Sequence, residues 1–247
     1  MHLLHQSIHA SNIVGEARAL RAAFGVCRPS QICTTCPSTN SNVQREQKQN
    51  SEFFSQPCGL QKMSDLPLLP ISSASTIASC ASLPLCISDV FICSYPKSGT
   101  TWTQNIVHKL LSNGVKNLEH ISESAPFFEV DAHWTGEATL SPSVVAGHAR
   151  ANGGRRVFNT HLLWSMLPHA RHAARYIYVV RSGSDVAFSF FKHLSSQRGD
   201  GGWDIDTQGG WDVFFTAWLA GEIPYGKWAA HVEHWMSAVD AEQRYGI

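Results

Sequence analysis

An unbroken apolar run, Val90-Phe91-Ile92-Cys93, leads into the tight loop Tyr95-Pro96-Lys97-Ser98-Gly99. Trp102, Ile106, Leu110 and Leu111 then recur at helical spacing. A strand that reads apolar at every position is covered on both faces, as in a parallel sheet. The change from a continuous run to a 3.6-residue period marks strand, loop, helix, and Ser112-Asn113-Gly114 supplies the stop. That unit restricts the chain to architectures with helices packed on a parallel sheet.

The same order returns downstream. Arg156-Val157-Phe158 reads as a strand leading to Thr160-His161. Tyr176-Ile177-Tyr178-Val179-Val180 is a stronger strand signal, aromatic and β-branched. After Arg181-Ser182-Gly183, Ser184 is the expected N-cap, Asp185 suits a first turn, and Val186, Phe190 and Leu194 share one helical face. Further helices are expected over residues 211–219 and 228–239, with 199–210 as a surface loop. Ligands in such folds sit at the carboxyl ends of the strands, where both loops lie. Residues 63–87 are apolar but rich in Ser and Pro, and are expected to wrap the core irregularly. Residues 1–62 read as a disordered N-terminal extension or a transit peptide. Their stretch 37–48 is too polar to offset its ordering entropy, and Arg18, Arg21 and Arg28 stand among few acids. Met63 opens the folded part, taken as one domain over residues 63–247.

Lys+Arg and Asp+Glu both number 19, so net charge is zero, which argues against a nucleic-acid partner. No apolar stretch approaches the roughly 20 residues that span a bilayer, so no membrane partner is expected. The 7 cysteines are irregularly spaced. Cys33 and Cys36 have C-x-x-C spacing, but no second pair follows. The thiols read as reduced, and the expected location is cytoplasmic, with an organelle as the alternative through the N-terminal extension.

The loop carries the chemistry. A phosphate-wrapping turn needs inward N–H groups, Gly where a side chain would collide, and the positive end of the following helix. Lys97-Ser98-Gly99-Thr100-Thr101 offers these, with a full charge from Lys97 and hydroxyl donors. The Walker A order G-x-x-x-x-G-K-[ST] does not fit, because Lys precedes Gly and no upstream Gly opens the loop. This is a phosphate loop of another kind, and the expected fold is a P-loop-like parallel sheet flanked by helices on both faces. Tyr95-Pro96-Lys97-Ser98-Gly99-Thr100-Thr101-Trp102, placed after a strand, resembles the 5′-phosphosulfate loop of the cytosolic sulfotransferase family. The resemblance implies 3′-phosphoadenosine 5′-phosphosulfate (PAPS) as co-substrate and no metal. It also implies Lys97 at the bridging oxygen, Ser98, Gly99, Thr100 and Thr101 around the 5′-phosphate, and Trp102 on the adenine. Trp102 as an ordinary core aromatic is the alternative.

The family's 3′-phosphate segment is similar to Arg181-Ser182-Gly183-Ser184-Asp185-Val186-Ala187-Phe188-Ser189, which assigns Arg181 and Ser189 to that phosphate. Arg binds phosphate through two parallel hydrogen bonds. A proton acceptor is also needed, and an imidazole suits neutral pH. Asn159-Thr160-His161 resembles the family's Lys-Thr-His, so His161 is the candidate base, with Asn159 in place of Lys. Pro126-Phe127-Phe128-Glu129 resembles the acceptor-pocket segment. Phe127 is its candidate contact, with a core position as the alternative. The resemblance spans residues 88–240, takes in Tyr225-Gly226-Lys227-Trp228, His231-Val232 and Trp235, and stops short of the family's C-terminal Arg-Lys-Gly segment. The implied domain is thus incomplete at its C-terminus. The expected activity is sulfuryl transfer to a small phenol, alcohol or amine. The alternatives are a nucleotide-binding protein of the same fold with little catalysis, and a phosphoryl-transfer enzyme, which the loop order disfavours.

Overall fold

The computed structural model describes residues 66–112, 118–168, 174–197 and 202–245. The extension over residues 1–62, with Cys33 and Cys36, lies outside the described residues. Strand β1 (Asp89–Ser94) is buried at all six positions and forms the centre of a parallel sheet. It pairs with β4 (Val157–Thr160) on one side and β5 (Ala174–Val179) on the other, in the order β4-β1-β5. Between β1 and β4 lie α2 (Thr100–Leu111), a small antiparallel ladder of β2 (Trp134–Gly136) with β3 (Thr139–Leu140), and α3 (Pro142–Asn152).

Register sorts the side chains by face. Phe91 opposes Phe158 and Tyr176, and its ring stacks on both at 5.2 and 5.1 Å. With Cys93 and Tyr178 they form one face, covered by helix α1 (Ala74–Ser82) through Cys80 and by α7 (Trp228–Tyr245) through Trp235. Val90, Ile92, Val157, Ile177 and Val179 form the other face, packed by Val107 and Leu111 of α2. Helices therefore cover both faces of the α/β sheet, as the alternation predicts. A third cluster gathers around Tyr95, the residue that leaves β1. It takes Val186, Phe190 and Leu194 from α4 (Gly183–Ser195) and Phe214 and Trp218 from α6 (Trp211–Ala220).

Three local expectations change. The lead-in contains α1, whose N-cap Ser73 accepts the Thr76 N–H. Its buried residues are Thr76, Ser79 and Cys80, small side chains that give no large-apolar period to read. Helix α4 begins two residues early, with Ser182 at the N-cap position and its hydroxyl 2.9 Å from that of Ser184. The described part of the 199–210 loop holds a short helix, α5 (Ile205–Gln208), capped by the Asp204 carboxylate.

At the amino ends of the strands, Arg156 donates from Nε to Asp89 Oδ1 at 2.8 Å and from Nη2 to Oδ2. Asp89 has no exposed surface, and burial raises its pKa against the pull of Arg156. Removing one partner strands a buried charge. Arg156→Ala is expected to cost about 3–5 kcal/mol at pH 7. The cost shrinks as pH falls, because protonation neutralises the stranded carboxyl. Urea denaturation at the two ends of that range measures it. An equal loss at pH 7 and pH 4 would show that the charge is not the cause.

Candidate active site

The loop between β1 and α2 turns sharply. Ser98 N–H donates to the Tyr95 carbonyl at 3.3 Å. Lys97 and Gly99 both take left-handed backbone, at φ 67° and 113°. Glycine meets that demand without cost, whereas Lys97 is a non-glycine residue held in a sparsely populated region, a form of strain concentrated at ligand sites. Alternating conformations of this kind curve successive N–H groups into an anion-binding concavity. Gly99 is the N-cap of α2 and contributes no side-chain cap, so the first-turn N–H groups keep their need for an acceptor. The Ser98 hydroxyl is buried in the turn without a hydrogen-bond partner. A concave turn, an orphaned buried hydroxyl and a lysine together fit a phosphate-bearing donor. Thr100 bonds Ser94 through its hydroxyl at 2.7 Å and supports the turn from beneath, while Thr101 is exposed. Trp102 is 80% exposed, which removes the core-aromatic alternative and leaves its indole face open.

The turn is joined to the second segment directly. Arg181 donates from Nη1 to the Lys97 carbonyl at 3.2 Å, and its Nε lies 3.7 Å from Asp185. Burial, then the charge of Arg181, lowers the Lys97 pKa. Among the described residues no carboxylate is within ion-pair distance of Lys97. Two cations are thus held side by side, and among the described residues Asp185, at Arg181, is the one carboxylate within ion-pair distance of either. Ser189 is half-buried on α4 and makes no hydrogen bond to either of them.

His161 follows β4 and is partly buried. Its Nδ1 is 2.7 Å from the Ser94 carbonyl. A carbonyl only accepts, so Nδ1 carries the proton and Nε2 keeps its lone pair. Burial lowers the His161 pKa to about 4; the Ser94 bond opposes this, and Lys97 and His193 reinforce it. The ring is therefore neutral at pH 7. Phe127 and Tyr225 flank it edge-on, each with a centroid 5.3 Å away. Phe127 is half-buried beside the base, and its own backbone bridges to Asn159. The Asn159 amide donates to the Ala125 carbonyl at 2.6 Å, so it fastens this segment to β4.

The sequence reading passed over several groups. Ser94 fixes the His161 tautomer through its backbone, which no side-chain pattern announces. His193 on α4 shares the Lys97 field, and its pKa falls through burial and then that charge. Glu129 was in view as part of the Phe127 segment, and its Oε1 accepts the His161 N–H at 2.8 Å. Burial raises the Glu129 pKa to about 7.

The family model described as Sulfotransferase domain matches residues 87–246, more than half of the chain. The chain belongs to the sulfotransferase family. This sulfotransferase-family chain is similar to Sulfotransferase 1C2 of Homo sapiens, 31% identical over 162 residues that cover 63% of the chain and 50% of that protein. It is also similar to Sulfotransferase 1A1 of Bos taurus, 31% identical over 158 residues, 60% of the chain and 48% of that protein. The chain spans about half the length of the curated relatives it matches. Among solved structures, the mouse sulfotransferase SULT7A1 complexed with PAP superposes with a TM-score of 0.53 at 24% identity, covering 75% of the chain and 59% of that one. Retinol dehydratase in complex with androsterone and inactive cofactor PAP gives a TM-score of 0.50 at 18% identity, covering 84% and 66%. These likenesses establish the shared fold.

Proposed function

We propose that this chain transfers a sulfuryl group from PAPS to a hydroxyl or amine of a small acceptor. The observation that carries the reading is the Arg181–Lys97 contact: it joins two anion-binding segments at neighbouring strand tips, as a bisphosphorylated nucleotide requires. The 97–101 turn holds the 5′ end, with its N–H groups and the Ser98 hydroxyl as donors. Arg181 and Ser189 hold the 3′-phosphate, and Trp102 offers a face to the adenine. PAPS, when bound, supplies an activated sulfuryl group and a phosphate leaving group. His161 Nε2 takes the acceptor proton, and Lys97 offsets the charge that gathers on the phosphate side. Phe127 and Tyr225 give the base apolar walls, which suits a phenol or another ring-bearing alcohol or amine. Free thiols at Cys80 and Cys93 support a reducing, cytoplasmic setting. Among the described residues no helix is long and apolar enough to cross a membrane.

The experiment is a labelled-sulfate transfer assay with PAPS against a panel of phenols, steroids, flavonoids and amines, beside calorimetry with the desulfated product PAP. Transfer to a panel member supports the reading. Binding of PAP without any transfer supports a second reading, a nucleotide-binding protein of this fold. That reading is favoured by Asn159, whose neutral amide replaces a cation and is committed to Ala125. Neither binding nor transfer sinks both. Arg181→Ala is expected to weaken PAP about 10- to 100-fold, from about 1.5–3 kcal/mol for hydrogen bonds to a charged group. Adenosine 5′-phosphate, which has no 3′-phosphate, should lose far less on the same titration.

A further inference from the structure

His161 leaves β4 on irregular backbone, and its peptide groups have no sheet partner to satisfy them. Side chains from distant elements do so instead. Glu129 Oε1 accepts the His161 N–H at 2.8 Å across 32 residues. On the other side, His231 Nε2 lies 2.9 Å from the His161 carbonyl across 70 residues. Since that carbonyl only accepts, His231 carries its proton on Nε2. Its Nδ1 then accepts from the Tyr178 hydroxyl of β5 at 2.9 Å. His231 is buried on α7, and from the same helix Trp235 Nε1 donates to the next carbonyl, Leu162, at 3.2 Å. The ring of His161 meets β1 through the Ser94 carbonyl.

We infer that Glu129 and His231 are positioning residues for the base: they hold both backbone groups of His161, and so keep its ring against Ser94 with Nε2 turned out as the proton acceptor. Rested on the sulfuryl-transfer reading, this assigns work to two buried polar groups that the chemistry itself does not use. The Glu129 carboxyl is fully buried, and the His161 N–H, with the Thr160 and Tyr225 hydroxyls beside it, is what it meets there. Satisfying two peptide groups calls only for an acceptor and a donor. Holding one imidazole tautomer calls for both at once, against a third fixed element.

The test uses the full chain and the variants Glu129→Leu, Glu129→Gln, His231→Leu and Tyr178→Phe. Long-range proton–nitrogen spectra report the His161 tautomer, with His161→Asn used for assignment. Kinetics with PAPS and the best acceptor of the panel report kcat and KM, and calorimetry reports PAP affinity. In the wild type the ring is expected to show Nδ1–H. Glu129→Gln keeps an acceptor for the N–H, and should keep the tautomer and most of kcat. Glu129→Leu and His231→Leu are expected to mix the tautomers and lower kcat about 100-fold, the scale of a 1 Å misplacement, with PAP affinity retained. Tyr178→Phe removes one oxygen from a half-buried ring and decides the matter if the leucine variants do not fold. It should lower kcat about 3- to 10-fold, one hydrogen bond's worth, and shift the His161 nitrogens. Unchanged His161 spectra in Tyr178→Phe and in whichever leucine variants fold would overturn the proposal. If the wild type transfers nothing, the function reading fails, and the spectra alone still decide whether the clamp exists.

Discussion

Lys97→Ala is expected to lower kcat about 10²- to 10³-fold, the usual cost of removing one electrostatic donor from a developing charge. The fold should survive. Alanine keeps the Cβ, so the left-handed backbone at φ 67° is no more strained than before, and Ser98 still closes the turn onto Tyr95. What disappears is a half-buried ammonium whose charge is disfavoured by burial and by Arg181, and which has no carboxylate within ion-pair reach among the described residues. A cation kept under those conditions gains most when a strong anion is beside it, and the leaving phosphate is most anionic as transfer completes. The loss should therefore fall on kcat more than on affinity for PAPS, whose bridging oxygen has not yet gathered that charge and which Arg181 and the backbone N–H groups also hold. Lys97→Arg is not expected to restore the rate, because a planar fork cannot place a point charge at the same spot. Single-turnover transfer of labelled sulfate, with circular dichroism to check folding, measures the effect. Full activity in Lys97→Ala would refute the assignment of the loop.

Much of this was readable locally. The continuous run at 90–93 and the aromatic run at 176–180 become β1 and β5 because a strand enclosed on both faces has no polar alternation to disguise it. The turn at 97–101 was legible because Gly99 and the residues around it must meet backbone demands that few residue types satisfy. Helix α1 escaped because its buried side are Thr76, Ser79 and Cys80, too small to mark a period. The supports of the base escaped for another reason. Glu129 and His231 act across 32 and 70 residues, and Ser94 acts through a backbone carbonyl. Such partnerships arise only once β1 lies between β4 and β5 and α7 is laid across that face. Among the 13 histidines, motif and strand register selected His161, but its tautomer needed the folded chain.

His161→Ala is expected to lower kcat about 10²- to 10⁴-fold, the range for a positioned general base, and to leave PAP affinity unchanged, since the ring contacts neither phosphate segment. The wild-type pH profile gives the sharper test. An imidazole in water loses its basic form below about pH 6.5. In this site burial, Lys97 and His193 all oppose the imidazolium, and the pKa falls to about 4. The acid limb of kcat/KM, which reports the free enzyme, should therefore sit near pH 4. The same shift has a consequence for stability. Between pH 6.5 and 4 the unfolded chain binds a proton on this residue that the folded chain refuses, so folding weakens as pH falls through that window. His161→Ala removes that share of the slope, and urea denaturation across the window should show a flatter acid side. Glu129, in contact with the His161 N–H, has its pKa raised to about 7, so an acid limb near 6.5 that persists in Glu129→Gln would mean that the ring is open to water and not held against Ser94. Activity surviving in His161→Ala would move the proton to another acceptor, and His193, which shares the Lys97 field, is the residue to replace next.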